Sequence, residues 1–147
     1  MQQALIDLFE RGLTQLYKEI EKYPSENQLW ETREGITNSG GNLALHLLGN
    51  LNTYFGKNLG NTGYIRNREA EFASKDIPQA EILQAIEEAK VVVISVLQNL
   101  SQEQMEAIYP ENVLGYEIKT ATFLLHLYGH LNYHLGQINY LRRMICL

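Results

Sequence analysis

The stretch His126-Leu127-Tyr128-Gly129-His130-Leu131-Asn132-Tyr133-His134-Leu135-Gly136-Gln137 holds three of the chain's four histidines, each four residues from the next. Residues four apart lie one turn apart on the same side of an α-helix. The stretch therefore predicts a helix with a ladder of imidazoles along one side. Ile118, Ala121, Leu124 or Leu125, Leu131, Ile138 and Leu141 give that helix an apolar side and extend it over residues 117–144. Two imidazoles one turn apart can hold one metal ion. A useful metal site needs a third ligand, and the remaining histidine is His46.

The segment around His46 has the marks of a second helix, over residues 42–55. Asn38 or Ser39 can cap its first turn, Gly40 and Gly41 let the backbone bend, and Gly56 is a plausible stop. Leu43, Leu47, Leu48, Leu51 and Phe55 form its core stripe. Asn42, His46, Asn50 and Tyr54 form another stripe that is polar but uncharged, which suits the wall of a polar cleft. No lysine follows the glycines, so the phosphate-binding P-loop pattern is absent.

Two further helices complete the pattern. Leu5, Leu8, Phe9, Leu13, Leu16, Tyr17 and Ile20 recur at helical spacing over residues 3–23, and Pro24 ends that run. Residues 78–100 carry Ile82, Leu83, Ile86, Val93, Ile94 and Leu97 inward behind a first-turn proline, Pro78. Ser101-Gln102-Glu103-Gln104 has the signature of a capping box on a short turn or helix. Four helices with long connections and no strand pattern predict an all-α fold, a four-helix bundle in one domain spanning residues 1–147. The connection over residues 57–77 is long enough to cross the end of the bundle. The chain's one tryptophan, Trp30, lies in the connection over residues 25–38. It reads either as a lid packed over one end of the core or as the wall of a ligand pocket.

Composition excludes several functions. A net charge of −5 with no basic run argues against nucleic acid as a partner. No apolar run is long enough to span a bilayer, and the start of the chain lacks the basic and apolar segments of a signal peptide. The single cysteine, Cys146, allows no internal disulfide and fits a reducing compartment. The expectation is a cytoplasmic protein without membrane or nucleic-acid partners.

Adjacent helices pack roughly 8–10 Å apart, so inward-facing imidazoles from two of them can converge on one ion. Helix geometry puts His126 and His134 roughly 80° apart, so both cannot share an ion with His130. Spacing alone permits the pair His126/His130 or the pair His130/His134. Neutral imidazole suits zinc, nickel and iron(II), and three histidines leave a further position for water or substrate. Gln137 stands within a turn of His134 and could orient it or bind substrate. Cys146 lies roughly 18 Å along the helix from His134, too far to be a ligand. Tyr133 and Tyr140 read either as packing residues or, if a hydroxyl stands near the metal, as an acid. Arg66 and Arg68 read either as a solvated charge run paired with Glu69 and Glu71 or as a clamp for an anionic ligand. The glutamate of the HExxH zinc-protease motif is missing.

Asn38-Ser39-Gly40-Gly41-Asn42-Leu43-Ala44-Leu45-His46 together with His130-Leu131-Asn132-Tyr133-His134-Leu135-Gly136-Gln137-Ile138 resembles the DinB/YfiT-like family of metal-dependent four-helix-bundle proteins. The HxxxHxGQ motif is the strongest local match. The resemblance implies an up-down-down-up bundle with its crossover over residues 57–77. It selects His46, His130 and His134 as the metal ligands and implies zinc, with nickel or iron as alternatives. It also implies a homodimer. Some members transfer a low-molecular-weight thiol such as bacillithiol or mycothiol to an electrophile, the thiol being held as a thiolate on the metal. By that analogy Asn42, Asn50 and Gln137 would orient ligand or histidines, and Arg66 and Arg68 would meet carboxylates of the thiol. A metal-dependent hydrolase and a non-enzymatic metal-binding bundle are the other readings.

Overall fold

The computed structural model describes all residues, 1–147. Helix α1 spans Gln2–Glu21 and buries Leu5, Phe9, Leu13, Leu16 and Ile20 along one stripe. A four-residue helix, α2 (Glu26–Leu29), follows under a Ser25 cap. Helix α3 spans Gly40–Leu51, and the Ser39 hydroxyl accepts from the Asn42 amide at 3.1 Å to cap it. The helix does not end near Gly56. It widens into a π-helical turn, Asn52–Lys57, and tightens again into α4, Asn58–Gly60. Gly56 acts here as a contact surface, since a Cβ on it would lie 3.0 Å from Thr62 Oγ1 and 3.3 Å from Val92 Cγ1. The left-handed residue that ends the run is Asn61 (φ 50°).

The connection that follows contains α5 (Arg68–Ala73), which the charged sequence there does not announce. Helix α6 spans Gln79–Asn99, and α7 spans Gln102–Glu106 with both hydrogen bonds of the capping box made. Helix α8 spans Thr120–Ile145. It starts three residues later than the hydrophobic pattern suggests. Residues before it are held extended, with the Tyr109 amide donating to Ile118 and the Thr120 amide to Ala107.

Helices α1, α3, α6 and α8 form the bundle around one apolar core. The Gln2 side chain donates to the carbonyls of Leu97 and Leu100, and Gln79 donates to those of Ile20 and Tyr23. Helices α1 and α6 are therefore antiparallel. Gly56 faces Val92 and Gly60 faces Val96, so the α3–α4 run and α6 point the same way. Gly12 lets α8 approach α1 closely, because a Cβ there would stand 2.9 Å from Leu131 Cδ2. Trp30 packs flat on Gly41 and donates its indole N–H to the Ile77 carbonyl at 3.3 Å, so it covers one end of the core. Tyr133 and Tyr140 are 65% and 67% exposed and do not pack, because α8 turns that side to solvent. No helix is long and apolar enough to cross a membrane.

Candidate metal centre

His46 sits on α3 one turn after Asn42 and one before Asn50, and all three side chains are buried. His130 and His134 project from successive turns of α8 towards it. His46 Nε2 and His130 Nε2 are 3.2 Å apart, and one nitrogen from each of the three rings lies within 4.8 Å of the others. Ring centroids are 5.1 Å apart for His46–His130, 5.0 Å for His46–His134 and 4.6 Å for His130–His134.

The nitrogens facing away from this cluster are mostly tied down. His46 Nδ1 lies 3.1 Å from Glu71 Oε1. A carboxylate only accepts, so Nδ1 carries the proton and Nε2 presents its lone pair. His134 Nδ1 lies 2.7 Å from Gln137 Oε1, which leaves Nε2 of His134 free in the same way. His130 Nδ1 is buried without a partner. Burial, followed by the neighbouring histidines, pushes the His130 imidazolium down to about 4. Burial also holds His46 below the usual histidine range, against the opposing pull of Glu71. Both rings are thus neutral near pH 7, as metal ligands must be.

The donor set fits one divalent cation. Two lone-pair nitrogens at 3.2 Å repel unless a proton or a cation lies between them. Tetrahedral zinc with Zn–N bonds of about 2.0–2.1 Å separates its nitrogens by about 3.3 Å. The residues that would hold the cation are His46, His130 and His134.

Glu71, which the sequence offered only as a solvated partner of the arginines, stands buried behind His46. It lies on α5, only 6% exposed, and its carboxylate takes two hydrogen bonds from Arg66, at 2.8 Å from Nε and 2.9 Å from Nη2. The carboxylate fits because residue 49 is glycine: a Cβ there would overlap Oε2. Asn42 anchors the same segment by donating to the carbonyls of Glu71 (3.0 Å) and Ser74 (2.8 Å). The Arg66–Glu71 pair is thus buried rather than solvated, and Arg66 is occupied by a protein carboxylate. The sequence signal for the place of Glu71 behind His46 was a glycine inside a helix, between His46 and Asn50. Its partner is 22 positions away along the chain, and periodicity gives no hint of that pairing.

A cavity of about 180 Å³ adjoins the cluster and is lined by His46, Asn50, Tyr54, Arg66, Arg68, Val113, Phe123, His126, Leu127 and His130. His126 is exposed at its edge, with its ring stacked on Phe123. Asn42 does not line this cavity. Gln137 lines a separate one of about 340 Å³, between residues 35–38 and the end of α8.

The fold and the cluster define a class: a four-helix bundle with a three-histidine centre between two of its helices. The chain belongs to the DUF1572 family, described as proteins of unknown function, whose model matches residues 2–147. Among solved structures it is similar to YfiT from Bacillus subtilis, described as a probable metal-dependent hydrolase with an unusual four-helix bundle topology. The TM-score is 0.76, covering 97% of this chain and 86% of that one at 19% identity. A DinB-like protein from Bacillus cereus superposes with a TM-score of 0.69, covering 90% of this chain and 85% of that one at 17% identity. These matches show that the chain shares the four-helix-bundle fold of YfiT and the DinB-like protein, the fold that the two histidine motifs led one to expect. No curated protein matches the chain.

Proposed function

We propose that His46, His130 and His134 bind one divalent metal ion and that the protein is a metal-dependent enzyme acting on small molecules. The observation that carries this reading is the convergence of three histidines whose free nitrogens face one point beside a cavity. When bound, the cation would favour the deprotonated form of a thiol or water in its open position. Glu71 and Gln137 fix the rings of His46 and His134, while Asn50, Tyr54, Arg68 and His126 form the wall against which a second reactant lies.

Transfer of a low-molecular-weight thiol to an electrophile is the preferred reaction. No carboxylate lines the cavity, and Glu71 is held by Arg66 and His46. Water would therefore lack a carboxylate base. A thiol, with an ordinary pKa of about 8.5, ionises with far less assistance. The sulfur would form a C–S bond as the electrophile's leaving group departs with its electron pair, or as a strained or conjugated bond opens and takes up the proton that the thiol gave to solvent. The chain therefore needs no catalytic cysteine. Hydrolysis is the second reading, because His126 stands at the cavity's edge, where it could take a proton from water. The description of YfiT points the same way, by fold analogy. Zinc in preference to nickel or iron, a homodimer and a cytoplasmic location belong to the same proposal.

Elemental analysis of the purified protein tests the centre: the expected result is one metal per chain in the wild type and loss in each single His→Ala variant. Metal retained in all three variants overturns it. Small thiols assayed against generic electrophiles, with and without chelator, then separate the reactions. Metal-dependent thiol consumption supports transfer, and ester or amide cleavage without added thiol supports hydrolysis.

A further inference from the structure

We infer that Tyr54 is the acid of this site: its hydroxyl bonds, and then protonates, the oxygen on which negative charge develops. The substrate's reacting group is therefore an oxygen electrophile, such as an epoxide or a conjugated carbonyl; this rests on the enzyme reading above. His46 stands by His130, and Tyr54, eight residues further on, meets Phe123 edge-on at 5.5 Å, seven residues before His130. The cavity therefore runs between α3 and α8, from the histidine cluster to the Tyr54–Phe123 pair. Helical side chains lean towards the helix N-terminus, which tips Tyr54 back along the cavity towards His46.

The ring is held while its hydroxyl is free. The Tyr109 hydroxyl donates to the Tyr54 carbonyl at 2.6 Å, and the Arg66 guanidinium lies over the Tyr54 ring at 6.0 Å. The Tyr54 hydroxyl itself makes no hydrogen bond within the chain. Tyr54 sits on the π-helical turn Asn52–Lys57, a form that recurs at functional sites. That turn carries it off the straight helical spacing from Asn50, whose Oδ1 is buried in the same cavity without a partner. A free donor and a free acceptor thus face one cavity without meeting. Other proton donors are few there: no aspartate or glutamate lines the wall, the His46 proton is held by Glu71, and His126 stands at the exposed edge. In the step, the thiol's sulfur forms a C–S bond at an epoxide carbon as the C–O bond breaks and its electron pair passes to oxygen. Tyr54 gives that oxygen its proton and regains one from solvent, which had received the thiol's proton. The new alcohol accepts from Tyr54 and donates to Asn50 Oδ1, so one hydroxyl satisfies both.

The test uses the full chain loaded with zinc, mercaptoethanol as the thiol, and two electrophiles, butylene oxide and butyl bromide. Bromide leaves without a proton, whereas the epoxide oxygen needs one. Tyr54→Phe is expected to lower the ratio of the two kcat/KM values, epoxide over bromide, by about a hundredfold. The two thioether products differ only in the alcohol, and calorimetric titration supplies a readout apart from turnover. The wild type should bind the hydroxylated product roughly three- to tenfold more tightly, and Tyr54→Phe should remove most of that preference. An unchanged ratio, equal affinity of the wild type for both products, or a ratio that falls in His126→Gln instead of Tyr54→Phe overturns the inference. Consumption of neither electrophile by the wild type is a different result: the enzyme reading fails, and the acid role falls with it whatever the titration shows.

Discussion

His46 and His134 belong to the same cluster but are held in opposite ways. Behind His46 stands a buried charged unit, with Glu71 on α5, Arg66 before it and Gly49 making room. Behind His134 stands one exposed amide, Gln137, from the same helix. A buried carboxylate fixes ring orientation and raises ligand basicity. An exposed amide does the first weakly and the second hardly at all. The comparison teaches that the α3 ligand is held by charge brought from another segment, while His134 is held by one neutral neighbour on its own helix.

The strongest test removes the ligands themselves. His46→Ala and His130→Ala are expected to abolish stoichiometric metal, and calorimetric titration should show at least a hundredfold loss of affinity. His126→Ala should leave metal content unchanged, and loss of metal there would redraw the centre.

Glu71→Gln comes next. It keeps size and shape while removing charge, and a roughly ten- to hundredfold weaker metal affinity is expected. Gln137→Ala should cost less than Glu71→Gln in the same titration; the reverse order would break the comparison. Glu71→Ala should also destabilise the fold by about 3 kcal/mol in urea unfolding, because it leaves Arg66 half-buried without its partner.

The pH effect is smaller and belongs to the metal-free protein. Folded His130 stays neutral down to about 4, whereas the unfolded chain takes up that proton near 6.5. Between those values the unfolded state binds more protons, so stability falls as pH drops from 6.5 to 4 and is independent of this group above 6.5. Urea midpoints measured with chelator across that range should slope downward towards acid, and His130→Asn should flatten the slope.

Much of this was legible in the sequence. Helical periodicity fixed the four long helices because each buries one stripe, as Leu5, Phe9, Leu13, Leu16 and Ile20 do on α1. The spacing of His130 and His134 found two members of the cluster because helix geometry makes four-residue neighbours adjacent. The boundaries were harder to see. Gly56 reads as a stop, yet the helix packs against Val92 there and runs on to Asn61, whose left-handed backbone ends it. Glu71 was legible as a partner for Arg66 but not as the support of His46, for a related reason. Its partners come from α3 and from the segment before α5, and only the assembled fold brings Gly49 under its carboxylate.

That glycine has an evolutionary consequence. Position 49 can gain a side chain only if position 71 gives up its carboxylate, and Arg66 would then face a low-dielectric wall with no counter-charge. The three positions are epistatic: substitutions tolerated together are harmful singly. In lineages of this family that keep the arrangement, Gly49, Arg66 and Glu71 should be inherited or lost as a set, and a chain with alanine at 49 should prove to have rebuilt the support behind its α3 histidine.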